Sequence, residues 1–403
     1  MKPMRMLEID GKSNGYWGLI GLFGLLILIA LGSVYYMEHN GHWVTGMSNQ
    51  IVWGTPHVFA VFLIVAASGA LNVASIASVF GKPMYKPLSP LSALLALALL
   101  AGGLAVLVLD LGRPDRLIVA MTHYNFKSIF AWNIYLYTGF FAIVGVYLWF
   151  LLEKKMNPHS SKIGTFAFLW RLALTTGTGS IFGFLVARQA YDAAIMAPMF
   201  IIMSFSYGLA IYLLVLMALY NWTGRDLGDF VIDKLRGLLV VFIAGALYMA
   251  VVQHLTNLYA TEHHAVERFI LLEGGIYTTA FWVGQVLIGS LFPLFLLLYP
   301  GTRNSRQAIG LACLLVVAGG LAQMYVTIIG GQAFPLILFP GMEVSSSFFD
   351  GQVGSYAPSA PEVGLGIGGI AIALLLVTIG VKFLKFTPET LGDAAMDPHF
   401  KAE

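Results

Sequence analysis

The chain has 403 residues, of which 58% are hydrophobic and 10% are charged, and its mean hydropathy is +0.81. A soluble protein of this size cannot bury so large an apolar fraction, so the composition indicates a polytopic membrane protein. A net charge of +2 excludes the basic surface that nucleic-acid binding requires. One cysteine, Cys313, cannot alone hold an iron–sulfur cluster, a structural zinc ion or an internal disulfide, so any cluster belongs to a partner.

Ten apolar runs along the chain are long enough to span a bilayer. They are residues 17–37, 55–80, 89–109, 128–152, 163–187, 199–221, 236–260, 276–299, 307–331 and 361–385. Because the lipid core offers no water to the backbone, each run is predicted to be a helix. The expected fold is therefore an all-α integral membrane protein with ten transmembrane helices in one polytopic domain, residues 1–403.

The distribution of Lys and Arg predicts the orientation of these helices. The basic residues expected in the cytoplasm are Lys2, Arg5, Lys12, Lys82, Lys86, Lys154, Lys155, Lys162, Arg225, Lys234, Arg236, Arg303, Arg306, Lys382, Lys385 and Lys401. The few expected on the outer face are Arg113, Arg116, Lys127, Arg188 and Arg268. Both termini are therefore predicted to be cytoplasmic.

A faint internal repeat suggests two related four-helix bundles, spans 2–5 and 6–9, flanked by helices 1 and 10. Thr55-Pro56 opens span 2 and Ala197-Pro198 opens span 6, and small residues that permit close helix contacts follow each. The expected divisions are residues 1–54 (tail, first helix and outer loop), 55–190 (first four-helix bundle), 191–331 (second four-helix bundle) and 332–403 (long outer loop, last helix and cytoplasmic tail).

A charged corner, residues 110–116, follows the third apolar run at the outer face. It reads Asp-Leu-Gly-Arg-Pro-Asp-Arg, and Pro114 cannot continue the helix. Asp110 and Arg113 are close enough to pair if the last helical turn persists, in which case Arg113 sets the Asp110 pKa. The alternative is a pair that merely stabilises a turn.

Other polar and aromatic side chains are expected at the same depth as this corner. His57 stands at the outer end of span 2, and Tyr124, Asn125 and Trp132 lie at the start of span 4. A quinone head group needs hydrogen-bonding partners for its two oxygens, flat apolar walls and a group that moves protons, and a His beside an Asp suits the last task. The predicted quinone-binding residues are His57, Asp110, Arg113, Tyr124, Asn125 and Trp132. The alternative for His57 is an interfacial side chain that caps a helix end.

Three further residues have a predicted role near the spans. Arg188 and Asp192, four residues apart, are expected to form a structural ion pair bordering the same pocket. Arg171 lies inside span 5, about 13 Å from Lys162 at helical rise, and is expected to extend its side chain to the inner surface.

The remaining outer segments raise two questions. His254 is the one candidate haem ligand clearly inside span 7, so haem ligation is not expected. The segment 332–360 has no Lys or Arg. Its exposed aromatics indicate a docking surface, or else a loop folded back over its own helix ends. These aromatics are Phe334, Phe339, Phe348, Phe349 and Tyr356.

Trp53-Gly54, the corner at 110–116, and Asn125-Phe126 with Ser128 together resemble the NrfD/PsrC-like family of membrane subunits, most closely its DsrP-type members. The resemblance covers spans 2–9. It implies two four-helix bundles, no haem or iron–sulfur cluster in this chain, and a menaquinone or ubiquinone bound near the outer face, with His57, Asp110 and the corner at the contact positions. The residue after Trp-Gly varies in the family, so a direct contact from His57 is inferred rather than matched.

The resemblance also implies partners and a location. The partners are a periplasmic ferredoxin-like iron–sulfur subunit (DsrO-like), a multihaem cytochrome c subunit (DsrJ-like) and a second redox module (DsrM/DsrK-like). The location is the bacterial inner membrane, and the activity is electron exchange between quinone and the iron–sulfur partner in sulfur respiration.

Two other functions remain open. An ion or proton translocator should have broken helices and central charges, and no paired Gly/Pro interruptions mark such breaks in the sequence. A structural anchor without a quinone site would differ from a quinone-binding subunit only in a binding measurement.

Overall fold

The computed structural model describes residues 4–336 and 351–400, and helices form nearly all of its regular secondary structure. The α-helices of the first half are α1 (Asn14–Asn40), α2 (Thr55–Ala70), α3 (Asn72–Ser78), α4 (Ser89–Leu109), α5 (Leu117–Thr122), α6 (Ile129–Leu152) and α7 (Ser160–Gly183). Those of the second half are α8 (Met196–Thr223), α9 (Asp229–Tyr259), α10 (His264–Arg268), α11 (Ile276–Thr279), α12 (Phe292–Leu298), α13 (Arg306–Tyr325), α14 (Gly331–Ala333), α15 (Ala360–Phe383) and α16 (Asp393–Met396). Three π-helical segments lie at Phe269–Glu273, Ala280–Leu291 and Val326–Gly330.

The described ends of the chain meet in a short antiparallel pair. Strand β1 (Met6–Leu7) pairs with β2 (Thr387–Pro388), with Met6 opposite Pro388. The residues just before α1 and just after α15 therefore lie on the same side of the helical body.

The protein is an all-helical, multi-pass integral membrane protein. Within the described ranges, nine helices are long and apolar enough to cross a bilayer. Helix α7 is equally long, but its many Ser, Thr and Gly residues make it less apolar. The prediction of ten spans is therefore supported for nine helices and stays a prediction for α7. At the periphery, α1 packs mainly against α15.

The second span is interrupted at Leu71, between α2 and α3. The Ser92 hydroxyl of α4 donates a hydrogen bond to the Ala70 carbonyl (2.6 Å) and accepts one from the Ala74 amide (3.1 Å). A non-helical turn inside the bilayer is tolerated because a neighbouring side chain satisfies the freed backbone groups. Leu71 itself is neither glycine nor proline, so the residue at the break does not mark it in the sequence.

Arg171 of α7 is buried beside this break, with 1% of its surface exposed. Its Nη1 donates to the Ser68 carbonyl (3.3 Å), and its guanidinium lies over the rings of Phe168 (4.8 Å) and Phe205 (5.1 Å). The expectation that Arg171 extends to the inner surface was wrong. A carbonyl and two aromatic faces hold the guanidinium inside the bundle instead.

Helices α2 and α8 cross at their small residues. A Cβ atom added to Gly69 would overlap the Ser204 carbonyl oxygen, and one added to Gly208 would overlap the Ala70 amide nitrogen. The close approach that the small residues of spans 2 and 6 predicted is therefore confirmed. Helix α2 also packs on α4 and α15, and α8 on α7, α9 and α13.

The two described ends of the segment 332–360 turn inward. Phe334 is buried against Phe269, with ring centroids 5.6 Å apart. The Tyr356 hydroxyl contacts both Thr55 (2.8 Å) and the buried carboxylate of Glu362 (2.7 Å), and burial raises the pKa of Tyr356. The described ends of this segment are therefore folded back over the helix ends, and their aromatic side chains do not form an exposed docking surface. Phe339, Phe348 and Phe349 lie outside the described residues.

Candidate functional site

The ends of α2 and α4 bring His57 and Asp110 together. His57 lies in the first turn of α2, and Asp110 directly follows the last residue of α4. His57 Nδ1 is 3.0 Å from Asp110 Oδ2, and 18% and 1% of the two side chains are exposed. The two residues are far apart in sequence, so the antiparallel pairing of α2 and α4 creates this contact.

The Asp110 carboxylate is buried without a hydrogen-bond donor. Its contact with His57 is at ion-pair distance, but the angles are outside hydrogen-bond geometry, and neither Oδ1 nor Oδ2 has a donor among the described residues. A buried carboxylate without donors is unfavourable, and native structures seldom leave one so. The site therefore suits a ligand that donates a hydroxyl hydrogen bond to Asp110.

Arg113 does not contribute to this pair. The chain turns at Gly112, whose φ of +67° only glycine adopts readily, and the Arg113 side chain that follows is exposed. Its Nε and Nη2 each lie 3.1 Å from an Asp115 carboxylate oxygen, and both side chains are exposed. This hydrogen bonding to Arg113 lowers the pKa of Asp115. The predicted pairing of Arg113 with Asp110 was wrong, because it required a helical turn that ends at Gly112.

An aromatic cluster centred on Trp53 borders the His57–Asp110 pair. The Trp53 ring stacks near His57 (centroids 6.2 Å apart) and Tyr191 (6.4 Å), and it meets Phe182 edge-on (5.9 Å) and Phe130 at a tilt (6.0 Å). These rings provide flat apolar walls next to a titratable pair. Phe130, Phe182 and Tyr191 were missed from the sequence, since they come from three separate segments.

Gln332 fixes the backbone that carries Trp53. Its side-chain oxygen accepts from the amides of Val52 (2.9 Å) and Trp53 (3.0 Å), and its nitrogen donates to the Trp53 carbonyl (3.0 Å). The loop before α2 is thereby attached to α14. The position of the Trp53 ring depends on this long-range contact.

Arg188 reinforces the same attachment and is not paired with Asp192. Its Nη1 donates to the Gln332 carbonyl (2.7 Å) and its Nη2 to the Gln50 carbonyl (2.8 Å), whereas Asp192 is exposed. The predicted ion pair was wrong because α7 ends at Gly183, so the four-residue spacing is not helical here. Burial lowers the pKa of the Arg188 guanidinium.

Tyr124, Asn125 and Trp132 belong to a neighbouring, more exposed cluster. Trp132 Nε1 donates to the Phe126 carbonyl (2.8 Å), and the Tyr124 ring lies 4.7 Å from that of Phe126. Asn125 accepts a turn hydrogen bond from the Lys127 amide (2.9 Å). Within residues 4–336 and 351–400, the three residues predicted from sequence have no hydrogen bond, ion pair or ring contact with His57 or Asp110.

Similarity to known proteins extends over most of the chain. Residues 43–336 match the family model described as "Polysulphide reductase, NrfD". The chain is 31% identical to the "Hdr-like menaquinol oxidoreductase integral membrane subunit" of Archaeoglobus fulgidus, over 95% of this chain and 96% of the relative. It is 22% identical to the "Menaquinone reductase, integral membrane subunit" of Nitratidesulfovibrio vulgaris, over 89% of each. It is also 23% identical to a selenate reductase subunit of Mesobacillus selenatarsenatis, over 94% of this chain and 98% of the relative. The chain therefore belongs to the polysulphide reductase NrfD family of membrane proteins.

Proposed function

We propose that this chain is the quinone-binding membrane subunit of a respiratory oxidoreductase complex. The observation that carries the proposal is the buried Asp110 carboxylate, whose oxygens lack a donor among the described residues, next to His57 and the Trp53 cluster. Two relatives, from Archaeoglobus fulgidus and Nitratidesulfovibrio vulgaris, are named for menaquinol or menaquinone chemistry. Their names support a quinone as the bound molecule.

In this proposal each residue has one task. A quinol hydroxyl donates its hydrogen bond to Asp110, and the ring packs against Trp53. His57, at 3.0 Å from Asp110, passes the released proton toward the outer aqueous phase. Tyr124 and Trp132, with Asn125, form the exposed rim at which the quinone enters. Arg113 stabilises the turn through Asp115 and has no contact with the quinone.

The proposed redox step transfers electrons from the quinol to a partner subunit and protons to the outer aqueous phase. Oxidation of one quinol to quinone releases two protons and two electrons. The protons leave through Asp110 and His57 to the outer phase, and the electrons pass one at a time to an iron–sulfur cluster of a partner subunit. Quinone reduction is the same step reversed, with protons taken from the outer phase.

The partner set we propose is that of a DsrP-type member in dissimilatory sulfur metabolism. It consists of a periplasmic ferredoxin-like iron–sulfur subunit, a multihaem cytochrome c subunit and a second redox module like DsrM and DsrK, all at the bacterial inner membrane. The relatives named as subunits of a reductase or an oxidoreductase support a multi-subunit assembly.

We further propose ten spans with both termini in the cytoplasm, arranged as two four-helix bundles over residues 55–190 and 191–331. An odd number of spans would separate the terminal segments across the bilayer. The β1–β2 pairing holds them together, which supports α7 as the tenth span. The expected cytoplasmic excess of Lys and Arg supports the orientation.

The binding step can be tested by titrating the purified complex with a fluorescent quinol analogue. His57→Ala is expected to weaken saturable binding at least ~10-fold, because it removes the partner of Asp110. His39→Ala is the matched control: His39 lies in the last turn of α1, where it stacks on Tyr35 (5.7 Å), and its loss should change affinity less than about two-fold. Equal affinity in wild type and His57→Ala would move the site away from α2.

Two observations favour a second function, ion or proton translocation without a redox role. The break at Leu71 and the buried cation of Arg171 are the features that a translocator would have. Proteoliposomes containing this chain alone separate the two functions. Ion or proton flux without quinol or partner subunits would support translocation, and a tight membrane would support the quinone subunit. Absence of any saturable quinol binding in the complex would leave the chain as a structural anchor.

A further inference from the structure

The second half of the chain carries another buried histidine–carboxylate pair. Glu267, in α10, is buried, and its Oε2 lies 2.7 Å from Nδ1 of His254 in α9. Its Oε1 accepts a hydrogen bond from Nδ2 of Asn257 (2.8 Å), one helical turn after His254. Unlike Asp110, this carboxylate has a partner on each oxygen.

The charged groups around the pair are engaged elsewhere. Arg268 pairs with Glu273 (2.6 Å) and is exposed. His263 Nδ1 contacts the Gln189 carbonyl (3.1 Å), and its Nε2 lies 3.8 Å from exposed Glu262. Over the described residues, His254 is the one basic group within ion-pair distance of Glu267.

His264, the remaining neighbouring histidine, faces a backbone carbonyl. Its Nε2 lies 2.8 Å from the Leu258 oxygen. The electrostatic partner of Glu267 in this region of the structure is therefore the His254 ring.

A small polar cavity adjoins the pair. Its volume is about 40 Å³, and its polar lining includes Gln253, His254, Asn257, Glu267, Gln285 and Gln323. A water molecule needs ~10–15 Å³ of such volume and two to four polar partners, so the cavity accommodates two or three waters and is too small for a quinone head group. Segments of all three π-helices border it, and π-helical turns occur often at functional sites.

We propose that this cavity is a water-filled proton-binding site, with Nε2 of His254 as the proton acceptor. Nδ1 faces the Glu267 carboxylate, so the neutral ring carries its proton on Nδ1 and donates it to Oε2. Nε2 has no hydrogen-bond partner in the described part of the chain, and the His254 ring, which meets Phe281 edge-on (4.7 Å), lines the cavity. A hydronium ion transfers its proton to Nε2 and leaves as water, and no electron moves.

This site is separate from the proposed quinone site. Over the described residues, those that line the cavity form no hydrogen bond, ion pair or ring contact with His57 or Asp110. The proposal therefore stands or falls independently of quinol binding, and it concerns protons that enter the second half of the helical body.

The water content can be tested by hydroxyl-radical footprinting of the purified full-length chain, because radicals formed from bound water oxidise adjacent side chains. Met196 and Met199 line the cavity although only 1% and 2% of each is exposed. Met324 is equally buried but does not line it. Both cavity methionines are expected to react at least ten-fold faster than Met324. Equal rates would show a dry cavity and overturn the proposal.

The acceptor atom can be tested by ¹⁵N NMR of the chain labelled at its nine histidines. The signals that disappear in His254→Gln belong to His254. At pH 8 its Nε2 is expected to lack a proton and to gain one on acidification. His264 is the internal contrast, since its Nε2 must carry a proton to donate to the Leu258 carbonyl. A proton already present on Nε2 of His254 at pH 8 would overturn the assignment.

Discussion

The hydrogen bonds that attach the Trp53 loop predict that Arg188 and Asp192, which the sequence alone would pair, contribute differently to the free energy of unfolding. Arg188 donates two hydrogen bonds, of 2.7 and 2.8 Å, to the carbonyls of Gln332 and Gln50. A hydrogen bond from a charged donor contributes about 1.5–3 kcal/mol to stability. Because Arg188 is only half-buried, each of its two hydrogen bonds is expected to contribute near the lower end of this range. Arg188→Met should therefore lower the free energy of unfolding by about 3 kcal/mol. Asp192→Asn should change it by less than about 0.5 kcal/mol, because Asp192 is exposed and unpaired with Arg188.

Thermal unfolding of the purified chain in detergent, followed by near-ultraviolet circular dichroism, measures both variants. The chain has eight tryptophans, so the Trp53 contribution is the difference between the near-ultraviolet spectra of a protein and of its Trp53→Phe variant. Arg188→Met should also reduce this contribution before the main transition. If Asp192→Asn destabilised the chain as much as Arg188→Met, the two would be an ion pair after all. The double variant adds a check, since independent residues give additive changes.

Two further predictions concern packing and the loop after residue 350. Tyr356→Phe removes the hydroxyl between Thr55 and Glu362 and should lower the free energy of unfolding by about 1–3 kcal/mol, measured by chemical unfolding in mixed micelles. Gly208→Leu should prevent folding, because even a Cβ would overlap the Ala70 amide; the monodisperse fraction in size-exclusion chromatography measures this.

Matched controls exist for both predictions. Tyr259 is 91% exposed, so Tyr259→Phe should leave stability unchanged. Gly21 of α1 has open space at its Cβ position, so Gly21→Leu should yield normally folded protein. A stable Gly208→Leu variant would mean that α2 and α8 do not cross closely. A neutral Tyr356→Phe would mean that the loop is held by other contacts.

The features of the fold and site that the sequence predicted correctly depend on where the long helices start and end. Apolar run lengths located the long helices, since lipid imposes helices of about 20 residues. The contact between His57 and Asp110 followed from two adjacent antiparallel spans, one starting and one ending at the same face. Trp53 was recognised in the sequence only as part of the Trp53-Gly54 motif. Its ring partners Phe130, Phe182 and Tyr191 are distant in sequence, so no local pattern predicted them.

The errors came from side chains whose partners are distant or whose helix ends early. Pairing Arg113 with Asp110 requires a helical turn past Gly112, and the chain has none there. The four-residue spacing of Arg188 and Asp192 is misleading, because the partners of Arg188 are backbone carbonyls far away in sequence. Arg171 is buried beside a helix break whose residue, Leu71, is itself neither glycine nor proline.

The sequence suggests no role for His254, because haem ligation, the one role considered for it, is not expected. Its partner, Glu267, lies across the connection between α9 and α10, where the helical spacing rule does not apply. Both residues are visible in the sequence, but only the packing of α10 against α9 brings the carboxylate to Nδ1.

The proposed role of Asp110 is tested most directly by quinol oxidation in the assembled complex, with Asp110→Asn compared with Asp115→Asn. General base catalysis contributes about 10²- to 10⁴-fold, so Asp110→Asn should lower turnover at least ~100-fold while the complex still assembles. Asp115 stands further along the same corner, exposed and paired with Arg113, so Asp115→Asn should retain at least half of the wild-type rate. Normal turnover in Asp110→Asn would contradict the account, and the proton acceptor would have to be sought elsewhere.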